Sequence, residues 1–251
     1  MIKIGVLGEG WLGDYLLQKL KTNGYNVKGA KAFQCYFRNN RWEGDLPAFL
    51  ENLSHLIITI PSGINRSTIK ANASEGNLTL FKQLMSHINK HSDLTVFYTS
   101  SISVYGRSET IIDEDTRLDP KTSSARAITK IEKQFEDSQV KRFNALRLGG
   151  LIGKDRHPIY SLLRTQKNIA KNELINFIHR EDILRCIEWL MRNPQDGPLN
   201  LVSPKHPTKI EYYSRIAKER NLNLPVFTEG GIVSRVVSKK LPLEQICIRG
   251  I

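Results

Sequence analysis

The chain has 251 residues, 40% of them apolar and 25% charged, which suits one large soluble domain or a domain with a small appendage. No apolar run is long enough to span a membrane, and Cys35, Cys186 and Cys247 fit neither a metal-ligand spacing nor a disulfide framework. The net charge is +12, but the lysines and arginines are dispersed and no nucleic-acid motif accompanies them, so the charge reads as solvated surface plus positions for phosphates.

Ile2, Ile4, Val6 and Leu7 predict a short buried strand, followed at once by Gly8-x-Gly10-x-x-Gly13. A helical pattern follows, with Leu12, Leu16 and Leu20 on one face, Trp11 near its start and Gly24 at its end. Between a strand and a helix, these glycines point to a dinucleotide site. Gly8 permits the tight turn, Gly10 lets the backbone approach a pyrophosphate, and Gly13 allows close helix–strand packing. The N-terminus lacks the layout of a signal peptide, and the thiols read as free, so the expected location is the cytoplasm.

Tyr25–Gly29 predicts the second strand. A NAD-preferring site carries Asp or Glu at its end, but no acid lies between Asp14 and Glu43. Lys28 and Lys31 occupy the region and suit the 2′-phosphate of NADP; the alternative is two surface lysines. A third strand is expected around Gln34–Phe37 and a short helix over Ala48–Leu53. Leu56–Ile60 is a continuous apolar run, as in a central parallel strand, ended by Pro61-Ser62-Gly63. A helix over Glu75–Asn89, a strand over Leu94–Thr99, a helix over Ala125–Asp137 and a strand over Asn144–Leu148 follow. This alternation predicts an α/β fold, a Rossmann-type doubly wound parallel sheet. Beyond Gly150 the pattern loosens into a small α+β part. Helices are expected at Pro158–Thr165, Arg180–Arg192 and Lys209–Arg220, and strands at Leu174–Ile178, Leu199–Val202, Pro225–Phe227 and Val233–Val237. The expected division is a dinucleotide-binding domain over 1–150 plus 174–203, and a small substrate-binding part over 151–173 and 204–251.

Thr99-Ser100-Ser101-Ile-Ser-Val104-Tyr105-Gly106 resembles the Ser-Ser-x-x-Val-Tyr-Gly segment of the extended short-chain dehydrogenase/reductases, of the NAD-dependent epimerase/dehydratase type. Glu75-Gly76-Asn77, Leu146–Gly153, Asn176–Asp182 and Leu199–Val202 resemble further segments of that family in the same order, nearly to the end of the chain. Gly-Trp-Leu-Gly with Arg156-His157-Pro158 resembles a bacterial YeeZ-like subgroup. The resemblance implies a nicotinamide cofactor, read here as NADP with NAD as the alternative. It places Gly8, Gly10, Trp11, Leu12, Gly13, Lys28, Lys31, Ile60, Pro61, Ser62, Ser100, Lys130 and Gly149 along that cofactor. The chain departs from the family in two ways. Its glycine motif is Gly-x-Gly-x-x-Gly rather than Gly-x-x-Gly-x-x-Gly. In the family a Tyr-x-x-x-Lys pair follows; here Lys130 matches the lysine and Arg126 stands where the tyrosine belongs.

The resemblance assigns Ser101 to the substrate oxygen and Lys130 to the nicotinamide ribose. Arginine cannot move the proton that the tyrosine moves, because its pKa exceeds about 12, but it can clamp a carboxylate or phosphate. Arg126 is therefore a candidate oxyanion or substrate anchor. Tyr105, His157 and His179 are the candidate proton carriers, with His157 the most open of the three. The expected function is a NAD(P)-dependent oxidoreductase or epimerase with an altered active site. The alternative is a catalytically silent NADP(H)-binding sensor. The expected partner is a small-molecule substrate, anionic if Arg126 holds it. Neither metal, membrane nor specific nucleic acid is expected, and a homodimer is compatible with the sequence.

Overall fold

The computed structural model describes residues 2–38, 41–60, 73–106, 110–246, 248 and 251. Pro61, Ser62 and Cys247 lie outside them. Strand β1 (Lys3–Leu7) runs into helix α1 (Trp11–Thr22), and strand β2 (Asn26–Gly29) follows. The helix forms because Leu12, Leu16, Leu17 and Leu20 make one buried stripe; Asp14 lies in its first turn and Lys19 and Lys21 in its last, each suiting the helix dipole. Gly24, at φ +85, releases the chain from it.

The segment after β2 differs from expectation. A single turn at Ala30–Phe33 leads into an antiparallel hairpin of β3 (Tyr36–Arg38) and β4 (Arg41–Glu43), which is separate from the main sheet. Helix α2 (Leu46–Leu50) is capped by Asp45, whose side chain accepts the Ala48 N–H. Strands β5 (His55–Ile58) and β6 (Thr95–Ser101) flank helix α3 (Ala73–Ile88). The chain continues through β7 (Ile111–Ile112), α4 (Ser123–Glu136), β8 (Arg142–Leu148), β9 (Gly150–Ile152), α5 (Pro158–Thr165), β10 (Ile169–Ala170) and β11 (Phe177–His179). It ends with α6 (Arg180–Arg192), β12 (Leu199–Leu201), α7 (Lys209–Glu219), β13 (Phe227–Thr228) and β14 (Arg235–Val236).

Six strands make the main sheet in the order β12-β8-β6-β5-β1-β2, and the fold is a Rossmann-type α/β fold with a parallel sheet. β1 pairs with β2 on one side and with β5 on the other. The winding therefore reverses between β1 and β5, and in open α/β sheets the ligand crevice lies outside the carboxyl ends of the strands at that reversal. The Gly8–Gly13 loop leaves β1 there, and Thr59-Ile60 leaves β5 there.

The chain divides into two compact units: Met1–Val104, Asp119–Arg147 and Leu190–Leu199 make one, and Tyr105–Leu118, Leu148–Trp189 and Asn200–Ile251 the other. The first unit holds the body of the sheet, with Ile4, Val6, Leu56, Ile57, Ile58, Val96 and Leu146 fully buried in it. The second packs α5 and α7 around Ile159, Ile169, Ile175, Tyr212, Tyr213 and Ile216. Its short strands pair as β9–β11, β10–β13 and β7–β14. Asn176 ties two of these segments together: its amide donates to the Ser234 carbonyl and its oxygen accepts the Val236 N–H. Among the described residues no helix is long and apolar enough to cross a membrane, and no group of three or more His, Cys, Asp or Glu could hold a metal ion.

Candidate functional site

The loop after β1 is built by contact with the loop after β5. Gly8 stands at φ +105, and a Cβ there would lie 2.9 Å from the Ile60 nitrogen and 3.0 Å from the Thr59 carbonyl carbon. The Thr59 hydroxyl donates to the Gly8 carbonyl. A methyl on Gly13 would overlap that same carbonyl oxygen and Thr59 Oγ1, so only glycine lets α1 start this close to the strand end. Gly10, by contrast, has no heavy atom within 4 Å of where a Cβ would stand. It is the N-cap of α1, and no side chain caps the helix. A crowded inner side and a bare outer backbone at a helix N-terminus form a cradle that fits a pyrophosphate. Leu12 and Gly13 are buried in the packing beneath it, while Trp11 and Ile60 are half-buried at its edge.

The two lysines expected at the end of β2 both have partners, Lys28 at the end of α2 and Lys31 in the glycine loop. Lys28 Nζ donates to the carbonyls of Ala48 (3.0 Å) and Glu51 (3.1 Å), the C-terminal end of α2, and lies 4.9 Å from the Phe33 ring centroid. Partial burial pulls its pKa below the usual lysine value. Lys28 is thus a helix C-cap rather than a free phosphate ligand. Lys31 Nζ donates to the Glu9 carbonyl (3.1 Å), and its backbone N–H donates to Glu9 Oε1 (2.6 Å).

Helix α4 places Lys130 and Arg126 as follows. Thr122 caps it, accepting the Ala125 N–H, and its buried residues are Ala125, Ala127, Ile128, Ile131, Glu132 and Phe135. Glu132 is only 2% exposed and pairs with Arg147 of β8 through Nη2–Oε2 (2.7 Å) and Nε–Oε1 (3.2 Å). The Ser100 hydroxyl donates to the same carboxylate. Glu132 therefore marks the sheet-facing side. Lys130, two residues earlier, lies about 200° round the helix from it. It is exposed, in a groove with Leu78, Thr79 and Lys82 of α3 and with Lys133 and Gln134. Arg126 is also exposed, and its guanidinium donates to the Lys121 carbonyl at 2.9 Å. The i, i+4 pair on the inner side, one and two turns above Glu132, is Ile128 and Ser124. Neither a tyrosine nor a lysine points inward from α4. Lys130→Ala should therefore leave dinucleotide affinity within about twofold and stability within about 0.5 kcal/mol, as for an ordinary surface change. A tenfold loss of affinity in a titration of that variant would return Lys130 to the site.

Five more of the candidates have structural partners. Ser100 is buried and spends its hydroxyl proton on Glu132, so it holds α4 against β6 rather than a cofactor. Gly149 is buried; a Cβ on it would meet the Asn176 carbonyl, and its N–H donates to Leu201, so tight backbone packing explains the glycine. His157 is 7% exposed and caps α5: Nδ1 accepts the Ile159 N–H (3.2 Å), which leaves Nε2 to donate to the Tyr212 hydroxyl (2.9 Å). Burial, with Arg220 and Arg215 nearby, pulls its pKa down to about 4, so the ring is neutral and structural at neutral pH. Tyr105, 3% exposed, donates to Asn200 Oδ1 at 2.8 Å, and His179 accepts the Glu181 N–H at the start of α6. Ser101 keeps an open role. It is half-buried at the carboxyl end of β6, and its Oγ accepts the Ser103 N–H at 3.1 Å while retaining a proton to donate.

Residues 4–202 match the model of the NAD dependent epimerase/dehydratase family. Protein YeeZ of Escherichia coli (strain K12) is 29% identical over 246 residues, covering 90% of this chain and 87% of its own. Among solved structures, MoeE5 in complex with UDP-glucuronic acid and NAD is similar with a TM-score of 0.74 and 17% identity, over 99% of this chain and 94% of its own. The UDP-glucuronic acid 4-epimerase of Bacillus cereus in complex with NAD is similar with a TM-score of 0.75 and 16% identity, over 95% and 90%. The human epimerase family protein SDR39U1 with NADPH is similar with a TM-score of 0.73 and 17% identity, over 91% and 83%.

Proposed function

The chain belongs to the NAD dependent epimerase/dehydratase family, and from that premise we propose that it binds a nicotinamide dinucleotide on the Gly8–Gly13 loop and acts as an oxidoreductase or epimerase with an altered acid–base apparatus. The observation that carries this reading is the cradle itself: Gly8 and Gly13 crowded against Thr59 and Ile60, and Gly10 open on its outer side. When bound, the dinucleotide supplies or accepts a hydride. Ser101 is the side chain placed to hydrogen-bond a substrate oxygen. The proton does not come from α4, whose inner face offers Ile128 and Ser124. A substrate that carries its own acidic group, or a water, must move it.

The outward Lys130 and Arg126 favour a second reading, a silent NAD(P)(H)-binding protein on the same fold. Retained chemistry needs Ser101 and Lys130 to act as a pair, and Lys130 stands on the exposed side of its helix. One experiment separates the readings. The protein is first titrated with NADH and NADPH by fluorescence, then incubated in two arms: C4-deuterated reduced dinucleotide with a panel of carbonyl compounds, and oxidised dinucleotide with nucleotide sugars deuterated at the ring carbinol carbons. Nucleotide sugars make up the second arm, since MoeE5 and the Bacillus cereus epimerase were solved with such ligands or are named for them. Deuterium recovered in a reduced carbonyl compound or on the dinucleotide, or an epimer formed from a nucleotide sugar, in each case lost on Ser101→Ala, supports the enzyme. Measurable binding with neither transfer nor epimer in either arm supports the silent binder.

A further inference from the structure

The acid missing from the end of β2 is present in space, though not in that stretch of sequence. Glu9 is the residue between the first two glycines of the loop. Its carboxylate reaches across to Gly29, the last residue of β2. A Cβ on Gly29 would lie 2.6 Å from Glu9 Oε1, 2.7 Å from Cδ and 2.9 Å from Oε2. The glycine thus leaves the room that the carboxylate fills. The Lys31 N–H donates to Oε1 at 2.6 Å, and Lys31 Nζ donates to the Glu9 backbone carbonyl at 3.1 Å. Glu9 is half-buried, and among the described residues Oε2 has no hydrogen bond. Two fixed donors hold the loop and carboxylate against the strand end, and one carboxylate oxygen remains to accept.

We propose that Glu9 recognises the adenosine ribose of the bound dinucleotide and selects NAD(H) over NADP(H). The inference rests on the dinucleotide reading above. In this sheet architecture the ribose 2′-hydroxyl is accepted by an acid at the end of the second strand, and a carboxylate there repels a 2′-phosphate. Glu9 puts a carboxylate at that strand end from the neighbouring loop. The cations that would answer a 2′-phosphate are committed: Lys28 to the end of α2, Lys31 to the Glu9 carbonyl. The lysine-based expectation of NADP therefore gives way to a selector supplied by the glycine loop.

The test compares NADH and NADPH binding, by fluorescence or calorimetry, to the wild type, Glu9→Gln and Gly29→Ala. The wild type should bind NADH at least tenfold more tightly than NADPH. Glu9→Gln keeps the length and the Lys31 hydrogen bond but removes the charge, so the ratio should fall at least fivefold, chiefly through tighter NADPH binding. Gly29→Ala keeps the charge but displaces the carboxylate from the strand end, and NADH affinity itself should drop. Melting curves confirm that both variants are folded; Glu9→Ala serves in place of either that is not. A wild type that prefers NADPH, or a ratio unmoved by Glu9→Gln, overturns the role of Glu9 while leaving dinucleotide binding intact. A wild type that binds neither dinucleotide overturns both.

Discussion

Glu132→Ala should cost about 3–5 kcal/mol, the range for removing one partner of a buried ion pair, against a total stability of roughly 5–15 kcal/mol. The cause is the guanidinium left behind. Arg147 lies near the end of β8 with its side chain 4% exposed, held by two hydrogen bonds to a carboxylate that is 2% exposed. Removing Glu132 strips Arg147 of both and leaves the Ser100 hydroxyl without its acceptor. Water cannot replace them without opening the core, in which Ile128, Ile131 and Phe135 of the same helix are buried. Urea unfolding measures the loss. The companion variant Glu132→Leu with Arg147→Met removes both charges and should regain much of it, since a buried pair exchanged for apolar side chains is often neutral. A loss below about 1 kcal/mol for Glu132→Ala would mean that the pair is not desolvated. Because Ser100 precedes Ser101, a loosened Glu132 also frees the strand end that carries the candidate substrate hydroxyl.

This ion pair also explains why the site was harder to read from the sequence than the fold. The alternation of strands and helices was legible because the central strands are nearly continuous apolar runs, and glycines punctuate them. The hairpin after β2 was not: the chain enters it past Gln34 at φ 53 and leaves it at Gly44 at φ 80, conformations that no apolar pattern announces. In α4 the family spacing and the helix face select different residues. Lys130 falls at the family's distance from Val104-Tyr105-Gly106, but Ile128, Ile131 and Phe135 already define the buried stripe. Glu132 falls within that stripe and Lys130 opposite it, so a helical wheel drawn first would have turned Lys130 outward. Lys28 and Glu9 were beyond such a reading. The partners of Lys28 are carbonyls at residues 48 and 51, and those of Glu9 lie at residues 29 and 31, contacts that exist only once the strands are side by side.

Gly13→Ala and Gly10→Ala should fail in opposite ways, and the contrast tests the cradle. On Gly13 the new methyl overlaps the Gly8 carbonyl oxygen and Thr59 Oγ1. The first is backbone, and the second is held by its own hydrogen bond to it. No flexible chain end can step aside, so α1 must shift away from β1 and β5. Overpacking of this kind costs about 1–3 kcal/mol or more, which for a protein of this size lowers Tm by roughly 2–4 °C per kcal/mol. The shifted loop should also lose the dinucleotide. On Gly10 the methyl meets nothing within 4 Å, and the residue's φ of −87 with ψ of −160 is extended backbone that alanine accepts. Melting should stay at the wild-type temperature. Yet the methyl projects on the bare side, where a pyrophosphate must come close to the helix N-terminus, and binding should weaken at least tenfold, about 1.4 kcal/mol. Thermal unfolding and NADH titration of the two variants read both effects. If Gly10→Ala melts normally and binds as tightly as wild type, the dinucleotide is not on this loop. If Gly13→Ala melts at the wild-type temperature, the close approach of α1 to Gly8 and Thr59 is not what holds the cradle in shape.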